Sequence, residues 1–141
     1  MAVCDPTLEV ELGLLAEGAS CVIGCDEVGR GALAGPVGVG VAAIDGTHGT
    51  MPVGLRDSKM LSERRREALA PLAVAWVLHS AVGLASAKEV DEIGIIAALG
   101  LAGKRALAEL FAAGVDVRGA SCCSTATTTT STRPSRRPSP C

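Results

Sequence analysis

The scarcity of aromatic side chains constrains the folding of this chain more than any other feature of its sequence. Of its 141 residues 48% are hydrophobic, yet the chain contains one Phe, one Trp and no Tyr. Any core must therefore be built mainly from Ala, Val, Leu and Ile. Such a core fits one small globular domain.

Charge is distributed unevenly along the chain. The 13 basic and 15 acidic residues give a net charge of −2, which argues against a polycation that coats nucleic acid or anionic membrane and leaves selective nucleic-acid binding open. All fifteen acids lie at or before Asp116, so residues 1–117, with nine basic residues, carry −6 and the remainder carries +4. From residue 118 the composition changes to Ser, Thr, Pro and Arg without periodicity, which predicts a disordered tail over 118–141.

The six cysteines and the N-terminal composition indicate a reducing cytoplasm. Acidic residues interrupt the start of the chain, so it does not resemble a secretory signal, and unpaired thiols are expected. A zinc site is the alternative, but Cys21 and Cys25 with Cys122 and Cys123 match none of the common finger spacings. The uncharged stretch 68–87 is alanine-rich and contains Pro, His and Ser, so we expect no membrane span.

Hydrophobic patterns and helix caps predict an α/β arrangement. Strands are predicted over residues 20–26, 37–44 and 74–84. Helices are predicted over 10–17, from Ser62 to near Pro71, and from a capping box at Ser86 and Glu89 to Gly114 as one or two helices. A further strand would be expected near residue 115, but the sequence loses its periodicity there.

Two adjacent carboxylates, Asp26 and Glu27, end the first predicted strand in the segment GCDEVGRGALAGPV. Mg²⁺ and Mn²⁺ prefer hard oxygen ligands, and a buried strand holds such oxygens against their mutual repulsion. Neighbouring strand residues face opposite sides, so the two carboxylates converge only if the backbone leaves extended geometry, which Gly29 permits. Two solvated turn residues are an equally good interpretation of this spacing.

Two basic residues are candidate phosphate contacts. Arg30 lies between two glycines that let backbone approach a substrate, and its guanidinium can bind a phosphate or carboxylate with two hydrogen bonds. Lys59 follows Asp57 and Ser58 just before a predicted helix, whose N-terminus can hold a phosphate, although a plain surface position explains it equally well. The three arginines at 64–66 favour a solvated helix face.

Other chemistries lack support in the sequence. The glycines around Arg30 do not form GxGxxG, and the chain has no P-loop GKS or GKT. His48 and His79 have no Ser or Cys partner at motif spacing, so a hydrolytic triad is not indicated.

Three segments, taken together, resemble bacterial ribonuclease HII. They are GCDEVGRGALAGPV, GLRDSKMLSERRREAL and GLASAKEVDEIGIIAALGLAGKRAL, in this order, and the similarity runs over about residues 8–117. The resemblance implies an RNase H-like mixed sheet flanked by helices, here a partial catalytic domain over 1–117 without the C-terminal strands and helices. It also implies an endonuclease that cuts the RNA strand of RNA/DNA hybrids and nicks at ribonucleotides embedded in duplex DNA, leaving a 5′-phosphate.

The resemblance assigns catalytic metal ligation to Asp26 and Glu27, which match the first two of the family's four carboxylates. Two cations, Mg²⁺ or Mn²⁺, about 4 Å apart would activate a water and stabilise the leaving oxygen. The family's GRG element contacts the ribonucleotide and its 2′-hydroxyl, and its DSK element contacts a backbone phosphate. The residues that match these substrate-binding elements are Gly29, Arg30, Gly31, Asp57, Ser58 and Lys59.

The chain departs from the family pattern on its C-terminal side. It has no acid after Asp116, where the family supplies its third and fourth carboxylates, and no Tyr to stack on the substrate. A catalytically dead fragment that binds hybrid duplex weakly is therefore the main alternative, and a structural interaction module is a third. We expect the full-length protein to be a monomer in the cytoplasm, away from membranes.

A shifted reading frame explains the abrupt change of composition. Cys122–Arg133, CCSTATTTTSTR, has a possible set of codons that, read from the third base, encodes LLDGNHDYLNP. That product is a buried strand ending in the Asp-Gly that the family pattern requires, and its first Asp codon straddles Ser124 and Thr125. We therefore predict that the tail from about residue 118 is frameshifted.

Overall fold

A four-stranded mixed sheet is the centre of the fold. The structure is a computed structural model and describes residues 6–29 and 34–124. The strands are β1 (Val22–Val28), β2 (Val37–Ile44), β3 (His79–Ala85) and β4 (Ser121–Ser124). The helices are α1 (Glu9–Ala16), α2 (Glu63–Trp76), α3 (Ala87–Ile93) and α4 (Ile95–Ala112), and Ser58–Met60 form one 3-10 turn. This turn and its N-cap residue Asp57 are together called the DSK turn.

The strands are arranged in the order β3-β2-β1-β4. β1 and β3 both pair antiparallel with β2, in registers that place Cys25 opposite Val41 and Val41 opposite Ala81. β4 pairs parallel with β1, with Ser124 opposite Cys25. The first strand therefore lies inside the sheet, with hydrogen-bonded neighbours on both sides.

Helix α4 packs on one face of the sheet through small side chains, as the aromatic-poor composition requires. Ala98, Ala102 and Ala106 are fully buried at spacings of four residues, which is one face of a helix. A Cβ added to Gly83 of β3 would lie 1.9 Å from the carbonyl oxygen of Ala102. The helix backbone therefore rests directly on the strand, and only glycine fits at the contact.

The predicted start of this helical region is confirmed. The Ser86 hydroxyl accepts from the Glu89 backbone N–H at 3.2 Å, and Glu89 Oε2 accepts from the Ser86 N–H at 2.9 Å, which is a capping box. Gly94, with φ of +82°, then separates α3 from α4. The Arg105 side chain binds the Glu89 carboxylate at 2.7 Å and joins the two helices.

The prediction that α2 ends near Pro71 is wrong, because the helix continues to Trp76 and β3 begins five residues later than expected. Pro71 lacks a backbone N–H and its ring crowds the carbonyl one turn earlier, yet an interior proline can bend a helix without ending it. Helical bonding resumes after it, with the Val77 N–H donating to the Ala73 carbonyl at 3.1 Å.

The prediction that disorder begins at residue 118 is also wrong for 118–124. Residues 117–119 form a turn and β4 follows it, so the strand expected near residue 115 starts at Ser121. Backbone pairing with β1 forms this strand without an alternating hydrophobic pattern, since ladder hydrogen bonds use main-chain groups only. The rest of the predicted tail, 125–141, lies outside the described residues.

The face of the sheet opposite α4 is open at the β3 edge. Val28, Val82 and Leu84 are 60%, 58% and 55% exposed there. At the other end of this face, Trp76 donates to the Gly49 carbonyl at 2.8 Å and holds the loop after β2. Within the two described ranges no helix is long and apolar enough to cross a bilayer.

Candidate functional site

Asp26 and Glu27 lie within β1, where the sheet ladder is regular. Asp26 is opposite Gly40 and Glu27 opposite Val39 on β2, so the two side chains leave the strand on opposite faces. The Glu27 backbone N–H donates to Asp26 Oδ1 at 2.9 Å. The backbone change that the sequence required for convergence is therefore absent at these two residues.

The change of backbone direction occurs at Gly29, immediately after the strand. Gly29 has φ of +86°, and a Cβ there would lie 2.8 Å from the Pro36 carbonyl oxygen. Both observations require glycine, which confirms the conformational role predicted for it. Arg30 and Gly31, the other residues of the GRG element, lie outside the described residues.

Asp26 shares its face of the sheet with the DSK turn. A cavity of about 290 Å³ is lined by Gly24 of β1, by Asp57 and by Trp76. Gly24 and Asp26 are on the same face because they are two residues apart in a strand, roughly 7 Å along it. Strand β1, through Gly24, and Asp57 therefore line one cavity on the face opposite α4, the face on which Asp26 lies.

Glu27 belongs to the other face. Cys25, two residues earlier in β1, packs against the core cluster that contains Ala106 of α4. Alternation along the strand puts Glu27 on this helix-covered side, where it is half-buried. The structure thus brings Asp26, but not Glu27, to the face that carries the DSK turn.

The DSK turn is a compact cap before α2. Asp57 Oδ1 accepts from the Lys59 N–H at 2.9 Å, and the Met60 N–H donates to the Asp57 carbonyl at 2.9 Å. Asp57 thus has a local structural role beside the substrate role that the resemblance implies. Ser58 and Lys59 are exposed, so the lysine ammonium is accessible to a phosphate.

Two arginines near this turn have contacts that the sequence analysis did not assign. Arg66 of α2, expected on a solvated face, donates through Nη1 to the carbonyls of Ser58 at 3.2 Å and Leu61 at 3.4 Å. Arg56, directly before the DSK element, lines the cavity and has a buried Nε atom. Adjacency to the DSK element was a sequence signal for Arg56 but not for Arg66, which lies on α2.

The described residues do not complete a two-cation centre. Within residues 6–29 and 34–124, no three His, Cys, Asp or Glu side chains lie close enough together to hold a metal ion. Asp26 and Glu27 leave β1 on opposite faces of the sheet. A site for Mg²⁺ or Mn²⁺ on the Asp26 face therefore needs further oxygen ligands.

The cysteines have the properties of neutral thiols. Cys21, Cys25, Cys122 and Cys123 are free. Burial, with Cys122 and Cys123 nearby, raises the pKa of Cys25 to about 11. Because zinc binds the thiolate, a raised pKa opposes the zinc alternative.

The sequence profile of the family described as Ribonuclease HII matches residues 23–118, a segment that contains Asp26 and the DSK turn. The chain belongs to the ribonuclease HII family. Ribonuclease HII of Streptomyces griseus is 52% identical over 103 residues, which are 72% of this chain and 43% of that protein. Ribonuclease HII of Cereibacter sphaeroides is 48% identical over 112 residues, 78% of this chain and 50% of the relative. The chain thus spans half the length of these relatives or less.

A solved structure supports the same fold. The crystal structure of a mutant Bst-RNase HIII matches with a TM-score of 0.55 at 26% identity, covering 72% of this chain and 35% of that one. The predicted RNase H-like mixed sheet flanked by helices is therefore confirmed. The ribonuclease HII segment, 23–118, contains β2, β3 and nearly all of β1, the strand that carries Asp26, while β4 lies beyond it.

Proposed function

We propose that the complete reading frame encodes an endonuclease that hydrolyses the RNA strand of RNA/DNA hybrids and nicks at ribonucleotides embedded in duplex DNA. The observation that carries the proposal is the placement of Asp26 and the DSK turn on one face of the sheet in a chain of the ribonuclease HII family. Metal-assisted phosphodiester cleavage needs carboxylates that hold the cation, and a lysine can contact the phosphate backbone.

Substrate binding is proposed for the GRG and DSK elements. The exposed Lys59 stands at a turn with defined hydrogen bonds, where an ammonium can meet one backbone phosphate. The positive φ of Gly29 keeps side-chain atoms away from the end of β1, so nucleic acid can approach the backbone closely. Arg30 and Gly31 complete the proposed contact with the 2′-hydroxyl, the group that distinguishes RNA from DNA.

Mg²⁺ or Mn²⁺ is the proposed cofactor. Asp26 and Glu27 are the proposed ligands, and of the two Asp26 lies on the face that carries the DSK turn. We propose two-cation catalysis leaving a 5′-phosphate for a chain that supplies the remaining carboxylates. The proposed setting is the cytoplasm, with a monomeric full-length protein.

The shifted-frame hypothesis gains support from the register of β4. Ser124, which shares the Asp codon of the alternative frame, lies opposite Cys25 and so next to the position of Asp26 along β1. An Asp encoded there would end a strand that is the parallel neighbour of β1, and carboxylates at adjacent strand ends can share a cation. Sequencing the locus tests the hypothesis, which fails if the alternative frame meets an early stop codon.

A catalytically dead fragment that binds hybrid duplex weakly is the second candidate for the 141-residue chain. It is favoured by the lack of any three-residue metal-binding group within the described residues. The proposal for the complete frame and this candidate for the present chain are compatible, because they concern different C-terminal sequences.

One cleavage experiment tests both statements. A labelled DNA duplex with one embedded ribonucleotide is incubated with Mg²⁺ or Mn²⁺ and either the 141-residue chain or a chain whose frame is restored by a one- or two-base change upstream of codon 122. We expect nicking at the ribonucleotide by the restored chain alone. Cleavage of an all-DNA duplex at the same rate, or no cleavage by the restored chain, would overturn the proposed function.

A further inference from the structure

Arg66 bridges both ends of the turn that carries Lys59. Its Nη1 atom lies 3.2 Å from the Ser58 carbonyl oxygen and 3.4 Å from that of Leu61, one residue before and two residues after the lysine. Leu61 is buried and anchors the turn to the core. A cation that binds both carbonyls therefore holds the exposed turn close to the buried Leu61.

The chemistry of the side chain suits this task. The Ser58 carbonyl already accepts from the Leu61 N–H at 3.2 Å, and a carbonyl oxygen has a second lone pair that can accept from a cationic side chain. Arginine keeps its charge at every physiological pH, and its planar group presents donors in a fixed geometry. The Lys59 side chain takes no part in this bridge and remains exposed to solvent.

We propose that Arg66 is a positioning residue that orders the DSK turn so that Lys59 is preorganised for a phosphate of the nucleic-acid substrate. The proposal rests on the proposed function for its substrate and on the two carbonyl contacts for its mechanism. Fixing the turn before binding removes the entropy that a mobile lysine would lose on contact.

The same helix offers a matched control. Arg65 is the neighbouring residue of α2, is exposed, and makes no hydrogen bond or ion pair within the part of the chain that the structure describes. Arg65→Ala and Arg66→Ala remove the same charge from adjacent positions. A general loss of attraction for nucleic acid affects both variants, whereas loss of the turn affects Arg66→Ala alone.

The rate at which a lysine-specific protease cleaves after Lys59 measures how well ordered the turn is. The chain has three lysines, Lys59 at the turn and Lys88 and Lys104 in helices, so the helical sites report global unfolding in the same digest. Cleavage of a folded protein follows the population of locally opened states. In Arg66→Ala we expect cleavage after Lys59 to accelerate about tenfold, with unchanged rates after Lys88 and Lys104 and no change in Arg65→Ala.

Binding of a fluorescent RNA/DNA hybrid to the 141-residue chain supplies the second measurement. Lys59→Ala is expected to lower the slope of log affinity against log salt by about 1, the loss of one phosphate contact. Arg66→Ala should lower affinity similarly, and the double variant should bind no more weakly than Lys59→Ala.

The outcomes separate the two proposals. Unchanged cleavage after Lys59 in Arg66→Ala, or equal effects of Arg65→Ala and Arg66→Ala in both assays, would overturn the positioning role and leave the proposed function intact. Accelerated cleavage after Lys59 with normal hybrid binding by Lys59→Ala would instead show that the phosphate contact, and with it the proposed use of the turn, is wrong.

Discussion

Single residues decide how closely helix and sheet approach each other in this fold. Gly83 of β3 leaves no room for a Cβ under the Ala102 carbonyl, while Gly100 on α4 has open space around it. The small-residue core was predictable from composition, since the chain has almost no aromatics to fill a wider gap. The individual contact was not, because it depends on which strand position the helix crosses.

We predict that Gly83→Ala destabilises the protein and that Gly100→Ala does not. Overpacking at a backbone contact costs about 1–3 kcal/mol or more, whereas alanine in an exposed helical position gains up to about 1 kcal/mol over glycine. Urea unfolding followed by circular dichroism measures both. Equal stabilities of the two variants would show that α4 does not rest on β3 as described.

At the scale of elements, local signals predicted the helix boundaries at Ser86 and Gly94, but not the end of α2 or the presence of β4. The capping box and the division of α3 from α4 at Gly94 followed from residue types alone. The length of α2 was mispredicted because an interior proline can kink a helix as well as end it, and residue type alone does not decide between the two. β4 was missed because pairing with β1, a long-range interaction, determines it.

The helix start at Ser86 should make stability depend on pH. The Arg105 guanidinium, together with the Ser86 N–H, lowers the pKa of Glu89 from 4.5 to about 2. A lowered folded-state pKa means stabilisation that is present above pH 4.5 and is lost as pH falls towards 2.

Glu89→Gln should therefore lower the melting temperature at neutral pH and flatten its dependence on pH across that acidic window. Melting curves by circular dichroism at closely spaced pH values measure this. The exposed Glu92→Gln variant, on the same helix, is the control. If the melting temperature of Glu89→Gln depended on pH as steeply as that of the unaltered chain, the assigned role of the carboxylate would be contradicted.

At the scale of the whole molecule, the open sheet face is the surface through which we expect copies of the chain to aggregate. β3 is an edge strand with Val82 and Leu84 about half exposed, and an apolar edge invites pairing between copies. The α4 side chains of Ile95, Leu99 and Leu107, by contrast, pack against the core. Only the strand register shows which face is open.

We predict that the 141-residue chain aggregates with a rate that depends on concentration and that Val82→Lys slows it. A charge on an edge strand opposes pairing between copies. Val53→Lys adds the same charge at a loop position that is 95% exposed, so it controls for net charge. Light scattering measures the rates, and equal slowing by both variants would exclude the β3 edge as the contact.

The site, too, was predictable only in part. Asp26, Gly29 and Lys59 were indicated by residue type and spacing, and the structure gives the glycine its required conformation and puts the other two on one face. The separation of Glu27 from Asp26 could not be predicted, because it depends on how far the regular ladder of β1 extends. The contribution of Arg66 required the three-dimensional path of the DSK turn.

The central claim is that Asp26 belongs to the metal-dependent site of a nuclease directed at ribonucleotides. Its most direct test is cleavage of a duplex with one embedded ribonucleotide by the frame-restored protein, its Asp26→Asn variant and the control Asp91→Asn, an exposed carboxylate on α3. Removing a ligand under-neutralises the cation, so cleavage by Asp26→Asn should fall at least about a hundredfold while substrate binding persists. Asp91→Asn should cleave normally. Near-normal turnover by Asp26→Asn would contradict the claim.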